Sequence, residues 1–458
     1  MTAFKCSARS HSYLKHARTV LPKRDSAANL ICQRNSSNSG AVPGSKDGGV
    51  DLSKPLIVSK YTRLEFEQKR WGIRGSELKQ FLQLQGSSYD NLIDKHKQHY
   101  SVLQKVEQTL KDLGADGTTV QREDYTEDLI ANSSVIISVG GDGTFLQAAS
   151  KITSRDKALI GVNSDKNKSL GILCLPSKFT DSCADGFKQL MQGKFKWLFR
   201  NRIRLTIDSN GSMPSAISLS DEQMKFYDHL SDLRNSSLII SSAYSVAQNH
   251  THPSSQHATT DHKRSNRTTL PIRALNEVYI GEYVASGTSY FEMQVNQEPI
   301  NKHKSSGLIV CTGTGSQAWF SSHRNLSTEQ VSKVLKISSR YLKNIPQSEQ
   351  LLTSLDEAQL TEISEAYLRE FVHMDPCSSK MMFSVKDPLH NQVFRRPLGS
   401  LSHPFREQGV ADTLNVHSRL WDGCVILDGN WAYGFDTGAW ISLEILDEDA
   451  LKTVQLID

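Results

Sequence analysis

Gly140-Gly141-Asp142-Gly143-Thr144 follows directly on the apolar run Val135-Ile136-Ile137-Ser138-Val139 and leads directly into Phe145-Leu146-Gln147-Ala148-Ala149. A strand, a glycine turn and a helix start must therefore meet here, and that junction is the hallmark of a layered α/β fold. Backbone N–H groups at the turn and the positive end of the helix favour an anion, and the glycines let a phosphate approach without a Cβ in the way. An aspartate in the middle of such a cradle repels a merely bound phosphate. Asp142 makes sense if a metal or a proton transfer is involved, so the turn reads as a place of phosphate chemistry rather than simple anion binding.

The surrounding pattern extends the α/β reading. Pro55-Leu56-Ile57-Val58 and Thr118-Thr119-Val120 read as strands, Leu64–Trp71 and Tyr89–Leu113 as helices, and Ala158–Asn163 as the strand after the turn. Leu92, Ile93, Tyr100, Leu103, Val106 and Leu110 recur at helical spacing, and Gly114 sits where a helix-ending glycine belongs. Alternating strands and helices imply a parallel sheet. From about Trp197 the texture changes to β-rich runs at 203–207, 276–281, 290–295 and 307–311, resumed at 425–429 and 440–445. The expected organisation is a leader at 1–45, an α/β domain at 46–195 and a β-sandwich-like domain at 196–434. A segment at 435–458 is expected to pack back on the α/β domain. Two insertions interrupt the β-rich part, a Ser/Thr/His-rich stretch at 241–270 and added helices at 327–374.

Composition matters mainly by location. The formal net charge is +4, yet residues 1–40 hold seven Lys and Arg against one Asp, so the excess lies in the leader and no nucleic-acid surface is indicated. This basic, Ser-rich leader, with Phe4, Tyr13, Leu14, Val20 and Leu21 as an apolar face, reads as a mitochondrial transit peptide. No apolar run is long enough to span a membrane, so membrane insertion is not expected. The seven scattered cysteines include no C-x-x-C pair, which argues for reduced thiols in an intracellular compartment and against a zinc site. The histidines 250, 252, 257 and 262 lie in the low-complexity stretch and read as a solvated loop.

Three further strings narrow the chemistry: Asn276-Glu277-Val278, Gly307–Cys311 running into Thr312-Gly313-Thr314-Gly315-Ser316, and Leu427-Asp428-Gly429. Together with the glycine turn, and in this order over roughly 54–450, they resemble the NAD kinase family, within it most nearly the mitochondrial members of animals. The related lipid kinases usually carry an Asn-Glu pair in the helix after the turn, where this chain has Leu146-Gln147-Ala148. There is no G-x-x-x-x-G-K-[ST] string either. Two departures stand out: Ser306 where the family tends to have Asp, and Gly313 where it has proline, which predicts a less rigid loop.

The resemblance implies phosphorylation of NAD at the ribose 2′-hydroxyl of its adenosine by ATP, with polyphosphate left open as donor, and with Mg2+ accompanying the nucleotide. It also implies the matrix as location and a homodimer. A lipid kinase and a dinucleotide-binding sensor without turnover remain as alternatives. Asp142 is assigned the proton-accepting or hydroxyl-orienting role; a free Asp is too acidic to deprotonate a sugar hydroxyl outright, so its action must be concerted with transfer. A magnesium ligand or a turn cap is the competing role for Asp142, and no other metal-binding side chain is assigned. Gly140, Gly141, Gly143 and Thr144 are expected to hold phosphate oxygens, and Asn276 and Glu277 to meet the adenine edge or ribose. Thr312, Thr314, Gly315 and Ser316 are expected to supply donors to the dinucleotide, and Asn163 to line the cleft at the sheet edge. Arg202 and Arg204, two apart on one predicted strand, are candidates for phosphate contact.

Overall fold

The run Val135–Gly140 is buried along its entire length because helices cover both faces of the sheet it belongs to. The computed structural model describes residues 48–166, 169–208, 215–223, 267–284, 287–341, 355–389 and 406–457. The leader at 1–45 and the histidines of the 241–270 insertion lie outside the described residues. Strands β1 (Pro55–Ser59), β2 (Thr118–Val120), β3 (Val135–Gly140) and β4 (Leu159–Asn163) form a parallel sheet in the order β2-β1-β3-β4. Their side chains alternate between two cores. Ile57, Ile137, Val139 and Ile160 pack on one side with Val102, Val106 and Phe187, while Leu56, Val58, Ile136 and Leu159 pack on the other with Phe145 and Ala148.

The helices follow local signals. Helix α1 (Arg63–Trp71) begins in a capping box, Thr62 with Glu65, and stops at Gly72 with φ 67°. Helix α2 (Gly75–Leu84) has no side-chain cap, which is why the sequence pattern does not announce it. Helix α3 (Tyr89–Asp112) is capped by Ser88 and buries Val102, Leu103, Val106 and Leu110. Helix α4 (Glu127–Ala131) precedes β3, and α5 (Asp142–Ser150) starts inside the glycine turn with Gly141 at its N-cap. After β4 come α6 (Lys178–Asp181) and α7 (Cys183–Met191), again without side-chain caps and again silent in the sequence.

Beyond residue 194 the chain is mostly antiparallel. The elements are β5 (Phe195–Arg200), β6 (Ile203–Asp208), β7 (Ile217–Ser218), β8 (Arg267–Thr269), β9 (Glu277–Glu282), β10 (Ser289–Val295), β11 (Asn301–Ser305), β12 (Gly307–Cys311), β13 (Met381–Lys386), β14 (Gln408–Ala411), β15 (Thr413–Ser418), β16 (Gly423–Leu427), β17 (Trp431–Gly434), β18 (Trp440–Ile445) and β19 (Leu451–Leu456). A six-stranded sheet, β11-β10-β15-β18-β6-β8, faces a seven-stranded one, β14-β13-β12-β9-β16-β17-β7. Alternate residues of both sheets, among them Leu205, Met293, Val416 and Leu443 opposite Val278, Leu308, Phe383 and Val425, build one shared core, as two packed sheets require. The added helices are α8 (Trp319–Arg324), α9 (Thr328–Tyr341) and α10 (Glu357–Val372).

The C-terminal stretch divides between the two regions. β18 stays in the six-stranded sheet, whereas β19 pairs antiparallel with β5, and its Leu451 enters the core under α5. An isolated bridge joins Lys452 to Ala158, next to β4.

Candidate functional site

The C-terminal ends of β1, β3 and β4 are held in register by one buried side chain. His99 of α3 has its two ring nitrogens 3.0 Å from the hydroxyls of Ser59, which ends β1, and Ser164, which follows β4. The Ser164 N–H in turn donates to Gly140 O at 2.9 Å. Burial pushes the His99 imidazole down to about 4, so the ring stays neutral and serves as a strut. The glycine turn is thus fixed between two neighbouring strands.

Asp142 is the first residue of α5, and its carboxylate does not float free. Oδ1 accepts the Leu173 N–H at 2.8 Å and Oδ2 the Ile172 N–H at 3.2 Å. These donors are aimed by Gly171, whose φ of 60° only glycine adopts without strain and whose missing Cβ leaves room for the Asn163 amide. Asn163 Nδ2 donates to Ser169 O at 3.1 Å, and its Oδ1 accepts the Asp165 N–H at 3.0 Å. This corrects the expectation that Asn163 lines the cleft: its amide is spent shaping the loop that orients Asp142.

Gly141, Asp142, Gly143 and Thr144 form one wall of an open cleft of about 550 Å3. Lys60, Tyr61, Phe66 and Gln147 line other parts, and Arg122, paired with Asp221, closes one end. A smaller pocket of about 190 Å3 shares Arg122, Gly143 and Gln147 and is bounded on its far side by Asp428, Asn430 and Trp431. Gly140 ends β3 behind this wall, where a Cβ would collide with the Thr144 side chain.

Asp428 organises the Asn276–Glu277 corner. It follows β16 at φ 48°, is partly buried, and accepts the N–H groups of Leu275 at 2.9 Å, Asn276 at 2.7 Å and Glu277 at 3.1 Å. Burial raises its carboxyl to about 6, with the three N–H donors pulling the other way. Glu277 is raised to about 8, by burial first and by the charge of Asp428 second. Among the described residues Asn276 Oδ1 and Glu277 Oε2 are buried with no hydrogen-bond partner, an unfavourable state that a further donor would relieve.

A pH dependence follows. Both carboxyls have folded-state affinities for protons above their ordinary values, so the folded chain binds more protons than the unfolded one. Their contribution to stability is present at low pH and is lost as pH rises from about 4.5 through about 8 for Glu277. Urea denaturation across this range is expected to show stability falling by at most about 1.4 kcal/mol per pH unit from this group, and Glu277→Gln to flatten the portion above pH 6. An unchanged slope in the variant would remove Glu277 as its source.

The second glycine turn rests directly on this corner. Thr312 Oγ1 donates to Leu275 O at 2.6 Å and accepts the Gly315 N–H at 3.1 Å, and the Thr312 N–H donates to Asn276 O at 2.9 Å. At Gly315 a Cβ would collide with the Asn276 carbonyl, and at Gly313 with that of Asp375. Ser316 Oγ donates to Gly313 O at 2.7 Å. The hydroxyls of Thr312 and Ser316 are therefore engaged in holding the turn. At Gly313 the Asp375–Pro376 backbone packs into the space that a side chain would take. Ser306 falls between β11 and β12, its carbonyl accepting the Tyr279 hydroxyl at 2.8 Å.

Arg202 and Arg204 do not reach either turn. The predicted strand at 203–207 is β6, and Asn201, between β5 and β6, bonds to the backbone of Pro376, Cys377 and Ser378. Arg202 turns inward and donates to the carbonyls of Asp449, Ala149 and Ile152, and Arg204 pairs with Glu448 and Asp449. These contacts lock β6 to the segment between β18 and β19. The arginine near the turns is Arg200, at the end of β5, whose Nη1 lies 3.4 Å from Thr314 Oγ1. The sequence reading did not single it out, since nothing local to Arg200 places it beside Thr314. His99 and Asp428 also went unassigned; only Asp428 had a sequence signal, an acid closing an apolar strand before a glycine.

The sequence profile of the ATP-NAD kinase C-terminal domain matches residues 275–335. The chain is 35% identical to NAD kinase 2, mitochondrial, of Rattus norvegicus over 90% of its own length and 89% of the relative's. To the Homo sapiens protein of the same name it is 36% identical over 90% and 86%. Among solved structures, yeast NADH kinase complexed with NADH superposes with a TM-score of 0.44 at 12% identity, covering 88% of this chain and 83% of that one.

Proposed function

The chain belongs to the NAD kinase family, and from that premise we propose that it transfers the terminal phosphoryl group of ATP to the 2′-hydroxyl of the adenosine ribose of NAD, giving NADP. The observation that carries this reading is Asp142, an oriented carboxylate at the head of a helix on the wall of a cleft able to hold nucleotides. Each oxygen of that carboxylate keeps a lone pair beyond its backbone bond. In our reading one of them accepts the ribose hydroxyl and takes its proton late in a loose transition state. The N–H groups around Gly141 and Gly143 hold phosphate oxygens. The buried acceptors Asn276 Oδ1 and Glu277 Oε2 take up donors from the adenosine, and Thr314, whose Oγ1 lies 3.4 Å from Arg200 Nη1, supplies a further hydroxyl from the second turn.

Among the described residues no three His, Cys, Asp or Glu side chains cluster as a metal cage. That donor set fits magnesium brought in on the triphosphate, which prefers phosphate oxygens, water and at most a carboxylate such as Asp142. There it would neutralise phosphate charge.

One assay discriminates the readings. The full chain with NAD, ATP and Mg2+ is expected to form NADP, measured by an NADP-specific dehydrogenase. Turnover of diacylglycerol with none of NAD would make it a lipid kinase, and NAD binding without product would make it a sensor. Replacing ATP by polyphosphate reports the donor. We also propose a mitochondrial matrix location and a homodimer. Residues 1–45 fused to a fluorescent reporter are expected to direct it to mitochondria; a diffuse cytosolic signal would refute the leader. Sedimentation of the full chain tests the dimer.

A further inference from the structure

Arg200 is a half-buried cation with little to balance it. Its Nε is sealed from solvent and has no hydrogen-bond partner, its Nη1 makes one long contact to Thr314, and among the described residues it forms no ion pair. Burial lowers its hold on the proton only to about 10, so it keeps its charge at neutral pH. Leaving a guanidinium so poorly paired is costly unless an anion completes its surroundings at some stage. The groups whose charge it feels are Cys377 first, then Asp142 of the first glycine turn and Asp375 beside the second. Three other arginines are committed: Arg202 to backbone carbonyls, Arg204 to Asp449, and Arg122 to Asp221.

We propose that Arg200, seated between the two glycine turns, binds the phosphoryl group as it reaches the ribose and then the 2′-phosphate of the product. The inference rests on the phosphoryl-transfer reading above and deepens it. In the step, the bond from the ribose oxygen to phosphorus forms while the bond from phosphorus to the bridging oxygen of ADP breaks. That oxygen leaves with the electron pair, and the hydroxyl proton passes to Asp142 and on to water. A hydroxyl beside Asp142 is thereby replaced by a phosphate dianion, which the carboxylate repels. Arg200 offsets that repulsion, and because the substrate hydroxyl lacks the charge, its contact is made in the transition state and product rather than with NAD.

The distinguishing measurement compares NADP and NAD on full-length Arg200→Met and Arg200→Lys. Loss of the guanidinium in Arg200→Met is expected to lower kcat about 100-fold, the size seen for one preorganised donor at developing charge, with KM for NAD little changed. Direct titration is expected to show NADP affinity falling by about 10-fold more than NAD affinity, with Arg200→Lys recovering part of both losses. Equal loss of NAD and NADP binding would mean that Arg200 only props the Thr314 turn and would overturn the proposal, as would an unchanged kcat. If Arg200→Met does not fold, Arg200→Lys carries the same comparison, in the same direction and smaller. The titration stands without turnover, so a wild-type chain that forms no NADP defeats the kinase reading while NADP-selective binding still decides Arg200.

Discussion

Asp142→Asn is expected to lower kcat for NADP formation by about 1,000-fold, within the span attributed to a positioned proton acceptor, while NAD still binds. The substitution keeps the shape but removes the group that can take the hydroxyl proton. It also disturbs the local structure in a defined way. An amide can satisfy only one of the Ile172 and Leu173 N–H groups, since its nitrogen would face the other donor. A second variant, Asp142→Glu, keeps the proton acceptor but moves it. Both should be compared with wild type by steady-state kinetics and by NAD titration. A drop in kcat with NAD affinity within a few-fold of wild type assigns the role to the carboxylate. Full activity in Asp142→Asn would end that assignment, and loss of NAD binding in step with kcat would attribute the effect to the loop.

Asp428→Ala is expected to be the most damaging single change to stability. It strands three buried N–H groups at Leu275, Asn276 and Glu277, each costing on the order of 1 kcal/mol or more, so a loss of about 3 kcal/mol or more is expected in urea denaturation. The same change frees the Asn276–Glu277 corner on which the second glycine turn rests, so KM for NAD should rise even where the chain remains folded. Asp428→Asn, which keeps an acceptor oxygen, should lie between the two. A stability change within 0.5 kcal/mol for the alanine variant would show that water replaces the carboxylate and that the corner holds itself.

The α/β half was legible because its strands are buried on both faces and read as continuous apolar runs, of which β3 is the clearest. The glycine turn was legible for a different reason: Gly140, Gly141 and Gly143 are costly inside a strand or a helix, so between an apolar run and a helix-forming one they mark the turn. What escaped the sequence was contact between distant segments. Nothing local to Arg200, Arg202 and Arg204 tells that Asn201 among them bonds to the backbone of Pro376, Cys377 and Ser378 far along the chain. His99 reads as one polar position on a helix until Ser59 and Ser164 are brought to its two sides. Helices α2, α6 and α7 lack side-chain caps, and with them the signal that marks a helix start. The local bonds of Asn163, Thr312 and Ser316 were hidden for a common reason, since a polar side chain near a site is as easily engaged by the backbone it must shape as offered to a ligand.

The Asp375 carbonyl nested on Gly313 ties the exit of α10 to the turn between β12 and α8. Position 313 and the stretch behind that helix are therefore a lock and key that must change together. A proline grafted there alone would drive its ring into the neighbouring backbone, whereas one grafted with a shortened connection after residue 372 would have room. The inserted helices are in this sense a splint for the second glycine turn, doing by wedging what a stiff imino acid does by ring closure.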